Sequence, residues 1–322
     1  MEARPRACGR TQSASAETVG AGASPPGAHQ QSLDALSGPA RRRSRANLLV
    51  RLSRDRAGLV GMILVGLTLL LAVCGPALAP FDPTAIFARD RLRPPGPPYW
   101  LGTDELGRDV LSRLLYGARI SVLLSVVVVA LASAIGIPAG LVAGYYRGGL
   151  DWVLSRIMDA LFAFPVILLA LALVAVLGSD TRNLALALTI VFVPGSTRLT
   201  RAATLVASRQ EFIEAARSSG ASDVRIMFRH VVPNILAVVF VQITLILAFA
   251  MLVEASLSFL GLGVQPPAAS WGSMLNSNKA SLQQGPWASL LPGLCIMLAV
   301  LGFNLLGDGL RDTLDPSLRQ SN

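Results

Sequence analysis

The sequence predicts an all-α integral membrane protein, and three observations carry that class. Of its 322 residues 52% are hydrophobic and only 15% charged, with a mean hydropathy of +0.56. Uncharged apolar runs recur along the chain; Ala57 to Phe81 alone supplies 25 residues, enough to cross a hydrocarbon core of about 30 Å at about 1.5 Å per residue. Six such runs alternate with loops whose basic residues are unevenly shared between the two sides. Helices are the fitting element, because each satisfies its own backbone polar groups where no water can.

Residues 1–46 are rich in Ala, Gly, Ser, Pro and Arg and lack the apolar periodicity that offsets ordering entropy, so a disordered basic tail is expected there. Seven arginines between Arg41 and Arg56 act as a topology signal or lie against anionic headgroups. The membrane domain occupies 47–318, with spans at about 57–81, 120–146, 160–179, 183–205, 231–254 and 287–307. Ala77-Leu78-Ala79 resembles a cleavage site, but its apolar region is too long and too far from Met1 for an ordinary signal peptide, so the first span is expected to be retained. Residues 82–115 form a Pro-rich loop of mixed charge.

In the second run, Gly136, Gly140 and Gly144 recur every four residues and place a stripe of small residues on one helix face, a helix-packing signal. Before the third run, Arg156 and Asp159 stand one turn apart and can pair. The fourth is short, carries Pro194-Gly195 and continues past Arg198 into water. Glu254 closes the fifth, as an interface residue or as a group facing a path through the bundle. Residues 257–288 read as a loop, and the polar stretch GDGLRDTLDP follows the sixth span.

Ser208 to Pro233 is the one charge-bearing, helix-forming segment between two apolar runs. Ser208 and Glu211 have capping-box spacing, Gly220 suits the left-handed residue that closes a helix, and Ser222 with Asp223 can cap a second one. Pro233 then ends that helix or opens the next. The product is a helix, a turn and a helix, either a knob for a partner's groove or an amphipathic connector on the bundle or the headgroups. A basic helix-turn-helix also suggests DNA, but spans on both sides leave little room for groove docking.

With six spans both termini share a side. Basic residues there number seven in 41–56, two in 144–156, six in 198–229 and two after 307; the other side has five in 82–115 plus Arg182 and Lys279. The positive-inside rule therefore places the termini and the Ser208–Pro233 segment in the cytoplasm.

Chemistry is conspicuous by what is missing. The only lysine, Lys279, precedes Ala280, so the chain has no G-x-x-x-x-G-K-[ST] phosphate loop. The uncharged cores of the six runs contain no ionisable group of the kind that ion-driven carriers keep near the midplane. Three scattered cysteines and two histidines, His29 and His230, form no disulfide framework, zinc site or nucleophile constellation. The reading is a pore-forming bundle, not an enzyme, that takes its energy from outside. Gln242, Glu254 and Asn304 are the candidates for the path, since polar atoms facing lipid are costly.

Glu214-Ala215-Ala216, Gly220 and Pro233 resemble the E-A-A-x3-G-x9-I-x-L-P loop of ABC importer permeases, with His230 and Val232 in place of the usual Ile and Leu. LGTDELGRDVLSRLLYGARIS, GGLDWVLSRIMDALFAFPVILLAL, EASLSFLGLGVQPPAASWGSML, PWASLLPGL and GDGLRDTLDP resemble the C-type subunit of the dipeptide/oligopeptide/nickel permeases, over about residues 45–318. The resemblance implies a six-span type I importer bundle in a prokaryotic inner membrane, with Glu214, Ala215, Ala216, Gly220, Asp223 and Pro233 in an ATPase-coupling loop. It implies a homologous B-type permease, two cytoplasmic ATPases carrying ATP and Mg, an extracytoplasmic solute-binding protein, no cofactor on this chain and no nucleic acid. In that picture ATP binding draws the docking helices together and turns the permeases outward. The implied cargo is di- or oligopeptides; nickel chelates, glutathione or oligosaccharides are alternatives within the architecture, and an ATP-independent carrier or channel is the alternative outside it. Bulk at Ala216 or a branched residue at Gly220 is expected to uncouple ATP use from uptake.

Overall fold

The computed structural model describes residues 55–314; the expected basic tail of residues 1–46 lies outside them. Ten helices are found there: α1 (Arg56–Leu78), α2 (Val110–Tyr146), α3 (Gly148–Phe162), α4 (Val166–Leu177), α5 (Thr181–Ala207), α6 (Glu211–Ser218), α7 (Asp223–Ile226), α8 (Val232–Phe259), α9 (Trp271–Asn278) and α10 (Trp287–Leu314). Five are long and apolar enough to cross a membrane, and α3 with α4 makes a sixth only if that bent pair counts as one span.

Several boundaries depart from the sequence reading, each for a local reason. Helix α2 starts at Val110 rather than near 120, because Asp109 caps it by accepting from the Ser112 amide at 2.8 Å. At 37 residues it is about 55 Å long and overshoots a core of about 30 Å at one end or both. The third span is not straight: α3 and α4 meet at 90°, since Pro165 offers no amide to continue α3 and disfavours helical geometry at Phe164. Helix α8 runs on to Phe259, which puts Glu254 inside a helix rather than at its end. Residues 257–288 are not all loop; Ser270 and Ser273 cap each other's backbone amides at the start of α9. That box uses serine where glutamate or glutamine is usual. Helix α10 continues through most of the polar GDGLRDTLDP stretch.

Helices α2 and α5 form the most extensive contact of the bundle, followed by α1 with α10 and α8 with α10. The glycine stripe faces α5: a Cβ at Gly136 would lie 2.6 Å from Ser196 Cβ, at Gly140 2.4 Å from the Thr197 carbonyl oxygen, and at Gly144 2.7 Å from the Arg201 carbonyl oxygen. Arg156 does not pair with Asp159. Its guanidinium lies 5.7 Å from the Trp152 ring centroid, while Asp159 accepts from Arg198 at 2.8 Å and Asp151 accepts from Arg201 through two nitrogens. These pairs fasten α3 to α5.

At the end of the bundle opposite α6, residues 79–109 fold into a cap. Asp104, buried to 1% exposure, accepts from the Leu106 and Arg108 amides at 2.9 Å and from Arg108 Nε at 2.6 Å, with Arg113 Nε 3.5 Å away. Trp287 donates to the Thr103 carbonyl at 3.1 Å, joining the cap to α10. Trp271 of α9 is buried against α2 and donates from its amide to Ser121 and from its indole to Leu114.

Candidate functional site

The segment from Ser208 to Pro233 folds as a compact knob with its own apolar centre. Ile213, Ile226, Met227 and Val231 are almost fully buried and pack with Leu141 and Tyr145 from α2 and Ala207 from α5. Outside the hydrocarbon, water is the alternative environment, so each such side chain contributes about 1.5–3 kcal/mol on burial. The loop is therefore held in shape and is not a tether.

Its construction differs from expectation at the first cap. Helix α5 persists to Ala207, so the Ser208 hydroxyl donates back to the Thr204 carbonyl at 2.7 Å, and α6 is preceded by Gln210 without a side-chain cap. Gly220 sits at φ +79°, closing α6 in the left-handed region. Ser222 precedes α7 but makes no capping bond. The second helix does not stand apart: α7 passes through a π turn at Met227–Val231 into α8, and Pro233 falls in the first turn of α8, directly after that π turn.

Glu214 and Ala215 are exposed on α6, and Phe212, Val224 and Phe228 are 42%, 57% and 65% exposed. Ala216 is half-buried against the knob's own centre, so within this short motif the outward face belongs to Glu214 and Ala215. The result is an anionic helix flanked by three large apolar side chains on a rigid base. Asp223, exposed as a residue, has its carboxylate engaged inside the chain: Tyr145 Oη donates to Asp223 Oδ1 at 2.7 Å and accepts from Arg217 Nη2 at 3.3 Å. The bond to Tyr145 pushes the Arg217 pKa above its already high ordinary value, so this side chain is a fixed cation. Tyr145 has no counterpart in the sequence reading; it is the penultimate residue of a long apolar helix, and only its partners, 72 and 78 residues away, distinguish it.

The structure does not bring the three path candidates together. Glu254 is 1% exposed, accepts from Ser258 Oγ at 2.8 Å and lies beneath the start of α9, where Ser270 Oγ reaches Ser258 Oγ at 3.5 Å. It does not line an open path in this conformation. Gln242 is half-buried and lines a cleft of about 310 Å³ with Phe162, Phe192, Gly195 and Phe249. Asn304 is half-buried on α10.

Residues 136–320 match the family described as binding-protein-dependent transport system inner membrane component, and residues 46–95 match the N-terminal transmembrane domain of oligopeptide transport permease C. The chain is 43% identical to the dipeptide transport system permease protein DppC of Alkalihalophilus pseudofirmus, over 84% of this chain and 88% of that protein. It is 46% identical to the glutathione transport system permease protein GsiD of Escherichia coli O6:K15:H31, over 84% and 89% respectively. A chain from the inward-facing MetNI methionine ABC transporter superposes with a TM-score of 0.52 at 19% identity, covering 63% of this chain and 96% of that one, a likeness of fold alone. With a family match over more than half its length, and relatives this similar over most of it, the chain belongs to the binding-protein-dependent ABC transporter permeases, as a C-type subunit of the dipeptide/oligopeptide class.

Proposed function

We propose that this chain forms one half of the translocation path of an ATP-driven importer for di- and oligopeptides, worked through the Ser208–Pro233 knob by a cytoplasmic ATPase. The observation that carries this reading is the knob itself: a helix with exposed Glu214 and Ala215, ringed by exposed Phe212, Val224 and Phe228, on a buried apolar base. Three large apolar side chains held open to water at a fixed spacing match a partner's groove. The second half of the path is a homologous B-type permease, and an extracytoplasmic solute-binding protein delivers the cargo. The excess of basic residues near the knob and both termini supports a cytoplasmic side for these, in what we take to be a prokaryotic inner membrane. ATP and Mg belong to the partner ATPases.

The 46% identity to a glutathione permease favours a second cargo, itself a modified tripeptide, through the same machinery. The ligand captured by the cognate binding protein decides between them.

Crosslinking from a cysteine at Ala215, in a complex co-expressed with its ATPases, tests docking directly. The expected product is an adduct with the ATPase; its absence, or uptake by this chain alone in vesicles, defeats the reading. Ala215→Trp should lower ATP-driven uptake about tenfold or more, because overpacking an occupied contact costs about 1–3 kcal/mol. Gly220→Val should also uncouple uptake from ATP hydrolysis. Nothing within 4 Å obstructs a side chain there, so the whole penalty, about 1–2 kcal/mol, comes from φ +79° at a branched residue. Uptake equal to wild type in both variants would contradict the proposed contact.

A further inference from the structure

We infer that Tyr145 is a positioning residue for coupling, the joint through which movement of the knob reaches the corner between α2 and α3. This rests on the docking role proposed for the knob. Contacts from both short helices of the knob converge on the one side chain: Asp223 at the start of α7 accepts from its hydroxyl at 2.7 Å, and Arg217 of α6 donates to it at 3.3 Å. The Arg217 guanidinium also stands 5.9 Å from the ring centroid. The residue is 8% exposed and packs in the apolar centre shared with Ile213 and Ile226, which ties its movement to that of the knob.

Beyond Tyr145 the chain is built to turn. Arg147 at φ +56° and Gly148 at φ +69° end α2 and redirect the backbone into α3. A Cβ at Gly148 or Gly149 would meet nothing within 4 Å, so the corner has room. Helix α3 is then held to α5 by Asp151 and Arg201, and meets α4 at the 90° bend before Pro165. A displacement of the knob, delivered through the hydroxyl of Tyr145, would rotate this elbow and with it α4. The polar bonds at Tyr145 are suited to a joint because they fix direction, whereas the ring alone would supply only packing.

The test uses the complete importer in proteoliposomes and reads cargo moved per ATP hydrolysed. Tyr145→Phe keeps the ring and removes the hydroxyl; Asp223→Ala removes its acceptor. Each is expected to lower the transport-to-hydrolysis ratio about tenfold or more, since each loses at least the hydrogen bond between Tyr145 and the Asp223 carboxylate. The double variant should fall no further than Tyr145→Phe alone, because that change already removes the bond to Asp223. A tyrosine that merely fills the core would leave the ratio unchanged in the Phe variant, and that result, or additive losses in the double variant, overturns the inference. The Ala215 crosslink separates the two levels. A retained crosslink with an unchanged ratio removes only the role of Tyr145, and a missing crosslink with native Tyr145 and Asp223 removes the docking reading itself.

Discussion

Gly140→Val should lower the thermal midpoint of the purified permease by about 6–12 °C. A Cβ at Gly140 would stand 2.4 Å from the Thr197 carbonyl oxygen, 2.7 Å from Thr200 Cβ and 2.9 Å from the Arg201 amide nitrogen. Two of those three atoms are backbone and cannot rotate away, so α2 and α5 must separate along their whole contact. Overpacking costs about 1–3 kcal/mol when side chains can adjust, and the rigid neighbours put this site at the upper end. Because lipid is as apolar as a side chain, helices here gain by close approach, and a wedge removes that gain over several turns. Gly66→Ala is the control: it is exposed, with nothing within 4 Å of the added carbon, and should melt as wild type. Thermal melts followed by size-exclusion in detergent decide the matter; equal midpoints for Gly140→Val and wild type would mean that these helices do not meet at the stripe.

Asp104→Ala should be comparably damaging at the other end of the molecule, by about 3–5 kcal/mol. The carboxylate is nearly inaccessible and accepts from two backbone amides and from Arg108 Nε, with Arg113 close by. Removing it leaves two guanidiniums, at 7% and 3% residue exposure, without their anion and two amides without an acceptor. Asp104→Asn should be intermediate, since an amide oxygen can still accept from the backbone but carries no charge. The cap would loosen first, so faster protease cleavage within residues 79–109 in the Ala variant, alongside a lowered midpoint, is the expected pair of results. A variant with native cleavage rate and melting would show that the buried charges carry no weight.

The membrane class and the helices that cross were legible because lipid imposes one rule on every residue of a span, and composition reports it. The knob was legible in outline for a similar reason: Gly220 needs a left-handed backbone and Pro233 needs a first turn, and both are properties of single residues. Ser208 misled because its spacing to Glu211 matches a cap wherever a helix begins, and the helix before it had not ended. Helix α9 was missed because its cap pairs two serines and its apolar side chains are few. Arg156 was assigned a neighbour along its own helix, when Asp159 and Asp151 instead meet arginines of α5.

What the residues determined unaided was solvent preference and local backbone: which stretches belong in lipid, where a chain must turn, and that no phosphate loop is present. Pairing was decided only by the fold. Tyr145 acquires Asp223 and Arg217, Asp104 acquires Arg113, and Glu254 is enclosed beneath α9 because packing brings distant segments within a few ångströms. A hydrogen bond or ion pair depends on distance and direction in space, and those are set by the tertiary arrangement of helices whose own sequences carry no record of their partners.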